Sequence, residues 1–258
     1  MPFVNVGGLK TFYESKGKGH PMLFIHGSAG NHSVWEHQLN TFGEKYHAIA
    51  VDLMGHGKSE IFIPPSQISV KRYSDFVNFF LETLSIEKIA LIGQSLGGAV
   101  CIQFCLDFSE KVECLGLINT GAKLLVNPQL LSMLREDFGA LRRGLEILLG
   151  QKREEAAQIR LLRVMTKEML KTDPAVGLAD FEACNKFDSR EKLSRICKPT
   201  LIVGGSEDVL TPPWYHHYLH EKIENSTLRI IEGVGHYSMV EKPEEFNVIL
   251  SEFLEKYF

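Results

Sequence analysis

One stretch constrains this chain more than any other: Ile89-Ala90-Leu91-Ile92-Gly93-Gln94-Ser95-Leu96-Gly97-Gly98-Ala99. Its apolar start reads as a short buried strand. Gly-x-Ser-x-Gly follows, and Ala99-Val100-Cys101-Ile102-Gln103-Phe104 reads as a helix. Strand, Gly-x-Ser-x-Gly, helix is the setting of a nucleophile elbow. The turn is so tight that side chains at 93 and 97 collide with neighbouring backbone, and glycine has no Cβ to collide. Ser95 is thereby held strained with its Oγ above the sheet. The helix N-terminus behind it favours developing negative charge.

A nucleophilic serine needs a base, and the base needs an orienting acid. Pro199-Thr200-Leu201-Ile202-Val203-Gly204 reads as a β-branched buried strand, and Gly205-Ser206-Glu207-Asp208 leaves its end. A second strand, Thr227-Leu228-Arg229-Ile230-Ile231, runs into Glu232-Gly233-Val234-Gly235-His236. Asp208 and His236 therefore lie in loops at strand C-termini, the edge where open parallel sheets place their sites. Ser95 occupies the same edge, and serine, acid, histidine is a known chain order for such a triad.

Two earlier segments extend the pattern. Met22-Leu23-Phe24-Ile25 is an apolar strand ending in His26-Gly27-Ser28-Ala29-Gly30, ahead of a helix near 34–46. Small residues let this loop approach a substrate carbonyl, so the N–H of Ser28 can pair with that of Leu96 as an oxyanion hole. The strand Ala48-Ile49-Ala50-Val51 leads into Asp52-Leu53-Met54-Gly55-His56-Gly57-Lys58-Ser59. With these on the page the chain closely resembles the α/β-hydrolase superfamily, in its carboxylesterase and haloperoxidase-like esterase branch. The His-Gly turn, Asp-x-x-Gly-His-Gly-x-Ser, Gly-x-Ser-x-Gly-Gly, Gly-x-x-Asp and Gly-His appear in family order over residues 1–122 and 191–258. The resemblance implies an α/β fold with a mostly parallel central sheet and helices on both faces. It makes Ser95 the nucleophile, Asp208 the acid and His236 the base, with no cofactor and no metal.

Competing readings attach to several residues. Gly57-Lys58-Ser59 could end a phosphate-binding loop, but that motif needs Gly where Asp52 stands. Asp52 and Ser59 read better as tying a structural turn, and His26 and His56 as structural neighbours of the site. Glu207 adjoins Asp208 and is the alternative acid. An acid after the strand Leu115-Gly116-Leu117-Ile118 is a position some relatives use, and Asn119 and Thr120 stand there. His216 and His220 share a helix face beside His217, but no carboxylate lies at a ligand spacing, which argues against a metal.

A length of 258 residues suits one α/β domain carrying an insertion. The net charge of −4 leaves no footprint for nucleic acid. No run approaches the ~20 apolar residues of a membrane span, and the N-terminal residues lack a secretory signal pattern. Five cysteines without framework spacing suggest reduced thiols and a cytoplasmic setting, with Cys101 and Cys105 as buried packing. An early hairpin at about 3–6 and 10–14 precedes alternating strands and helices.

That alternation breaks over residues 123–190, a helix-rich, Leu- and Met-rich segment after the sixth strand. By the resemblance it forms a cap over the site, between the two core segments 1–122 and 191–258. Leu124, Leu125, Leu130, Met133, Leu134, Phe138 and Leu141 are its candidate pocket-lining residues, and an apolar acyl or alkyl group in the substrate follows. Arg153, Arg160, Arg163, Lys167 and Lys171 fall within one arc of a helical wheel. They read either as a solvated face paired to nearby Glu or as a docking stripe for an acidic carrier protein or CoA. The expected activity is acyl-enzyme hydrolysis of a small to medium carboxylic ester. Carbon–carbon bond hydrolase, thioesterase and lactonase share the machinery, and a small-molecule receptor is the reading from another class. A serine at 95 argues against relatives with an aspartate nucleophile, and Tyr237 after the base against the hydroxynitrile lyases, which carry Lys there.

Overall fold

The computed structural model describes residues 3–136 and 172–258. The apolar runs become eight strands: β1 (Phe3–Val6), β2 (Leu9–Lys16), β3 (Pro21–Ile25), β4 (His47–Val51), β5 (Ile89–Gln94), β6 (Val112–Ile118), β7 (Thr200–Gly205) and β8 (Ser226–Ile231). They form one sheet in the order β1-β2-β4-β3-β5-β6-β7-β8. β1 and β2 are antiparallel, as is β2 with β4, and every other pair is parallel. The early hairpin and the mostly parallel sheet therefore both form as read from the sequence.

Side-chain alternation explains the layering. Leu23 and Ile25 of β3, Ile49 and Val51 of β4, and Leu91 of β5 face one core. Met22 and Phe24, Ala48 and Ala50, and Ala90 and Ile92 face the other. A sheet buried on both faces needs apolar residues at every position, which is why these strands read as continuous runs. Helices Val70–Thr83 and Leu96–Asp107 cover the first face, and Glu36–Phe42 and Pro243–Leu254 the second. Ser69 caps the first of these, its side chain accepting from Arg72 N–H. Leu96–Asp107 is apolar nearly all round because it packs between sheet and neighbouring helices, burying Leu96 through Ile102 without a break. The segment expected as one helix over 34–46 is instead a 3₁₀ turn, His32–Trp35, followed by Glu36–Phe42.

After β6 the chain leaves the sheet and returns before β7. The two legs meet where Ser189 N donates to Ala122 O at 2.8 Å and Lys123 Nζ pairs with Asp188 Oδ2 at 3.2 Å. Between them, residues 128–136 are helical and Pro174–Lys186 forms a further helix. Phe138, Leu141 and the stripe of Arg153, Arg160, Arg163, Lys167 and Lys171 lie outside the described residues. Among the described residues no helix is long and apolar enough to cross a membrane. Because β3 to β8 run parallel, the loops after Ile25, Val51, Gln94, Ile118, Gly205 and Ile231 all open at one edge.

Candidate active site

Ser95 stands at that edge with φ 55° and ψ −117°, backbone that side-chain-bearing residues seldom adopt. The surroundings hold it there. Its N–H donates to Ile118 O at 3.0 Å, and its carbonyl accepts from Thr120 Oγ1 at 2.7 Å and Ala99 N at 3.1 Å. The two glycines are required for close approach: a Cβ at 93 would overlap the carbonyl of Gly97, and one at 97 that of Ile25.

The loop after β7 brings Asp208 to the loop after β8. Asp208 Oδ2 lies 2.8 Å from His236 Nδ1. Thr211 Oγ1 donates to the same oxygen at 2.7 Å and Asn119 Nδ2 at 3.0 Å. Oδ1 accepts the backbone N–H groups of Leu210 and Thr211, each at 2.9 Å. Burial opposes ionisation of Asp208, but the His236 ring and the Thr211 bonds prevail and hold its pKa well below the carboxylate range. An ionised carboxylate can only accept, so His236 carries its proton on Nδ1 and leaves Nε2 to act as base. Glu207, the alternative acid, is exposed and does not hold the ring.

One cavity is lined by Ser28, Ser95 and His236 together. Leu124, Leu125 and Leu130 also line it, as the sequence predicts, whereas Met133 is exposed outside it and Leu134 packs on Ala29 instead. Phe181 and Cys184 add to the wall from helix Pro174–Lys186. No Lys, Arg, Asp or Glu is among the described lining residues. Leu96 contributes only backbone, since its side chain is buried in the core. The N–H groups of Ser28 and Leu96 have no acceptor among the described residues, which leaves both for a substrate oxyanion.

The competing motifs resolve structurally. Asp52 Oδ2 accepts from Lys58 N at 2.9 Å, and Ser59 Oγ donates to Asp52 O at 2.8 Å. The turn's own carboxylate thus occupies the amide a phosphate would need. His26 accepts from Leu53 N at 3.1 Å and His56 pairs with Asp180 at 2.8 Å, so neither approaches Asp208. His216 is buried against Gly204, and His220 Nδ1 meets Ser226 Oγ at 2.8 Å. No cluster of three metal-ligating side chains occurs among the described residues. Three contributors escaped the sequence reading. Thr211 is legible in principle as an Asp-x-x-Thr turn, Asn119 stands in sequence only as the absence of an acid after β6, and Asp180 carries no local signal.

Comparison with known proteins identifies the fold family. The family model described as alpha/beta hydrolase fold matches residues 20–243. A 2-hydroxy-6-oxo-6-(2'-aminophenyl)hexa-2,4-dienoic acid hydrolase from Metapseudomonas resinovorans is 27% identical over 98% of this chain and 90% of its own length. The solved structure of a thermophilic esterase is 31% identical, with TM-score 0.83, 99% of this chain covered and 97% of that one. Est816, described as an N-acyl homoserine lactone degrading enzyme, is 29% identical with TM-score 0.82, covering 98% of this chain and all (100%) of its own.

Proposed function

The chain belongs to the alpha/beta hydrolase fold family, and on that premise we propose that it hydrolyses a neutral carboxylic ester through an acyl-enzyme on Ser95. One observation carries this reading: a single cavity joins Ser95, His236 and Ser28 and is otherwise walled by uncharged residues among those described. Est816 and the thermophilic esterase, the two solved relatives compared above, support ester or lactone chemistry. The relative from Metapseudomonas resinovorans is named for an acid substrate. Carbon–carbon bond hydrolysis of such an acid is the second reading, and the uncharged character of the described wall favours the neutral ester.

His236 Nε2 takes the Ser95 proton as Oγ attacks the carbonyl carbon. The carbonyl π pair moves to oxygen, and the N–H groups of Ser28 and Leu96 hold the oxyanion. Collapse breaks the bond to the alkoxy group, and His236 returns its proton to the departing alcohol. Water, deprotonated by His236, then attacks the acyl carbon; collapse breaks the bond to Ser95 Oγ, which takes the proton back from His236, and the acid is released. Asp208 keeps the ring in the required tautomer and stabilises its charged form.

The test is turnover of p-nitrophenyl esters of two to twelve acyl carbons by wild type and Ser95→Ala, beside an ester bearing a terminal carboxylate. Serine-dependent turnover of the neutral series, with the carboxylate-bearing ester disfavoured, is the expected result. Preference for the charged ester, or turnover surviving in Ser95→Ala, would overturn the reading.

A further inference from the structure

Asp180 is fully buried in helix Pro174–Lys186, yet its carboxylate is bonded by three separate parts of the core. Oδ2 accepts from Ala29 N at 2.8 Å and from His56 Nε2 at 2.8 Å, and Oδ1 accepts from Tyr73 OH at 2.6 Å. His56 Nδ1 faces Met54 O at 3.2 Å, so both ring nitrogens meet acceptors and the ring carries both protons. Removing the carboxylate alone would strand the imidazolium, but replacing the whole buried pair by well-packed apolar side chains is often neutral or stabilising. Stability alone therefore gives a weak reason for this arrangement.

Ala29 supplies the stronger one. It adopts φ 51°, left-handed backbone that alanine disfavours by about 1 kcal/mol or more. Two bonds from the far side of the inserted segment hold it there: its N–H goes to Asp180, and its carbonyl accepts from Thr172 Oγ1 at 2.9 Å. The preceding residue is Ser28, whose N–H has no acceptor among the described residues and whose side chain faces the cavity. The orientation of a backbone N–H is set by the dihedrals around it, so whatever fixes Ala29 also fixes the loop that presents Ser28. The same helix contributes Phe181 and Cys184 to the cavity wall, and Ser28 Oγ lies 3.4 Å from Cys184 Sγ.

We propose that Asp180 is a positioning residue for the oxyanion hole: by clamping the strained Ala29, it aims the Ser28 N–H and ties the hole's competence to the seating of helix Pro174–Lys186. The inference rests on Ser95 and Ser28 acting as described above, and it adds a residue 151 positions away from Ala29 in sequence.

The rate at which a fluorophosphonate labels Ser95 tests this without knowledge of the substrate, because that reaction also builds negative charge on an oxygen in the hole. Asp180→Asn should slow labelling about tenfold, short of the roughly 10²–10³ for deleting an oxyanion donor outright. With an ester substrate it should lower kcat by a similar factor and leave KM within about twofold. Phe246→Leu, a core truncation on the other face of the sheet, serves as a stability-matched control that should label at the wild-type rate. If Asp180→Asn does not accumulate folded, Thr172→Val takes its place, with about a threefold slowing expected. Wild-type Ser95 that resists labelling would remove the nucleophile reading itself. Labelled wild type with equally fast variants would overturn the positioning role alone, as would parallel losses in Asp180→Asn and Phe246→Leu.

Discussion

Asn119 Nδ2 donates to Asp208 Oδ2 at 3.0 Å while Asn119 Oδ1 accepts from Ser238 Oγ at 2.6 Å. The end of β6 is thus bonded to the acid loop and, through Ser238, to the segment just after His236. A third bond, Asn119 Nδ2 to Gly235 O at 3.1 Å, fixes the residue preceding the base. Asn119 itself has φ 44°, which turns its side chain inward between the two loops at a cost the three bonds offset. An amide suits this place because it donates to a carboxylate and accepts from a hydroxyl at once.

The first prediction follows from that geometry. Asp208→Asn should lower kcat by about 10⁴-fold, since the ring then loses its acceptor and its tautomer. Adding Asn119→Asp to this variant puts a carboxylate within reach of the same ring and should recover at least about tenfold of the loss. Asn119→Asp alone sets two carboxylates side by side and should instead slow the enzyme. Steady-state kinetics on the three variants checks this, and a double variant as slow as Asp208→Asn would show that the β6 position cannot serve.

A second prediction concerns Thr211. Its hydroxyl donates to Asp208 Oδ2 at 2.7 Å and lies 3.3 Å from His236 Nδ1. Thr211→Val keeps the shape and the backbone bond but removes one of the three donors that stabilise Asp208 Oδ2. We expect kcat about five- to tenfold lower and stability down by about 1–2 kcal/mol. A urea midpoint and a kcat both indistinguishable from wild type would contradict the role.

The elbow yields a third. Gly97→Ala places a Cβ against the carbonyls of Ile25 and His26, which belong to the central strand β3 and its loop. Backbone cannot give way as a flexible side chain can, so the cost should exceed about 3 kcal/mol. Poor recovery of folded protein, or a large loss in thermal midpoint, is the expected result. A well-folded Gly97→Ala with wild-type activity would mean that the turn tolerates a Cβ at 97.

These residues also show how far the sequence reached. Ser95, Asp208 and His236 were legible because each follows an apolar run whose end is marked by glycine, and parallel strands deliver such ends to one edge. The runs Met22–Ile25 and Ala48–Val51 were equally visible, since a doubly covered strand leaves no polar position, but which of their residues faces which core was not. Asp180 was not legible. Its partners Ala29, His56 and Tyr73 lie more than 100 residues earlier, and nothing in Leu178-Ala179-Asp180-Phe181 distinguishes a buried clamp from an exposed acid on a helix. The exclusion of Met133 and Leu134 from the cavity was hidden for a related reason: helical spacing shows which residues share a face, not what that face meets.

The last prediction is acid sensitivity with a defined origin. Burial lowers the pKa of His216 to about 4, and the nearby His236 and His217 add to this against the pull of Asp208. Burial, joined by the charged His56, likewise lowers His26 to about 4. Both start from 6.5, so between pH 6.5 and 4 the unfolded chain binds protons that the folded one refuses. Their contribution to stability is complete above pH 6.5 and drains as pH falls toward 4. At 1.36 kcal/mol per unit, moving from pH 6.5 to 5 costs about 2 kcal/mol for each histidine. His56 runs the other way. Burial lowers it, but Asp180 and the Met54 carbonyl raise it on balance, so its contribution is kept in acid and lost as pH rises. Neither ring nitrogen of His216 has a protein partner among the described residues, which makes it the histidine to remove. Urea unfolding at pH 7 and pH 5 should show a clear fall in wild-type stability and roughly half that fall in His216→Leu, whatever the variant's stability at pH 7. An identical pH dependence in both proteins would show that His216 takes up its proton in the folded state.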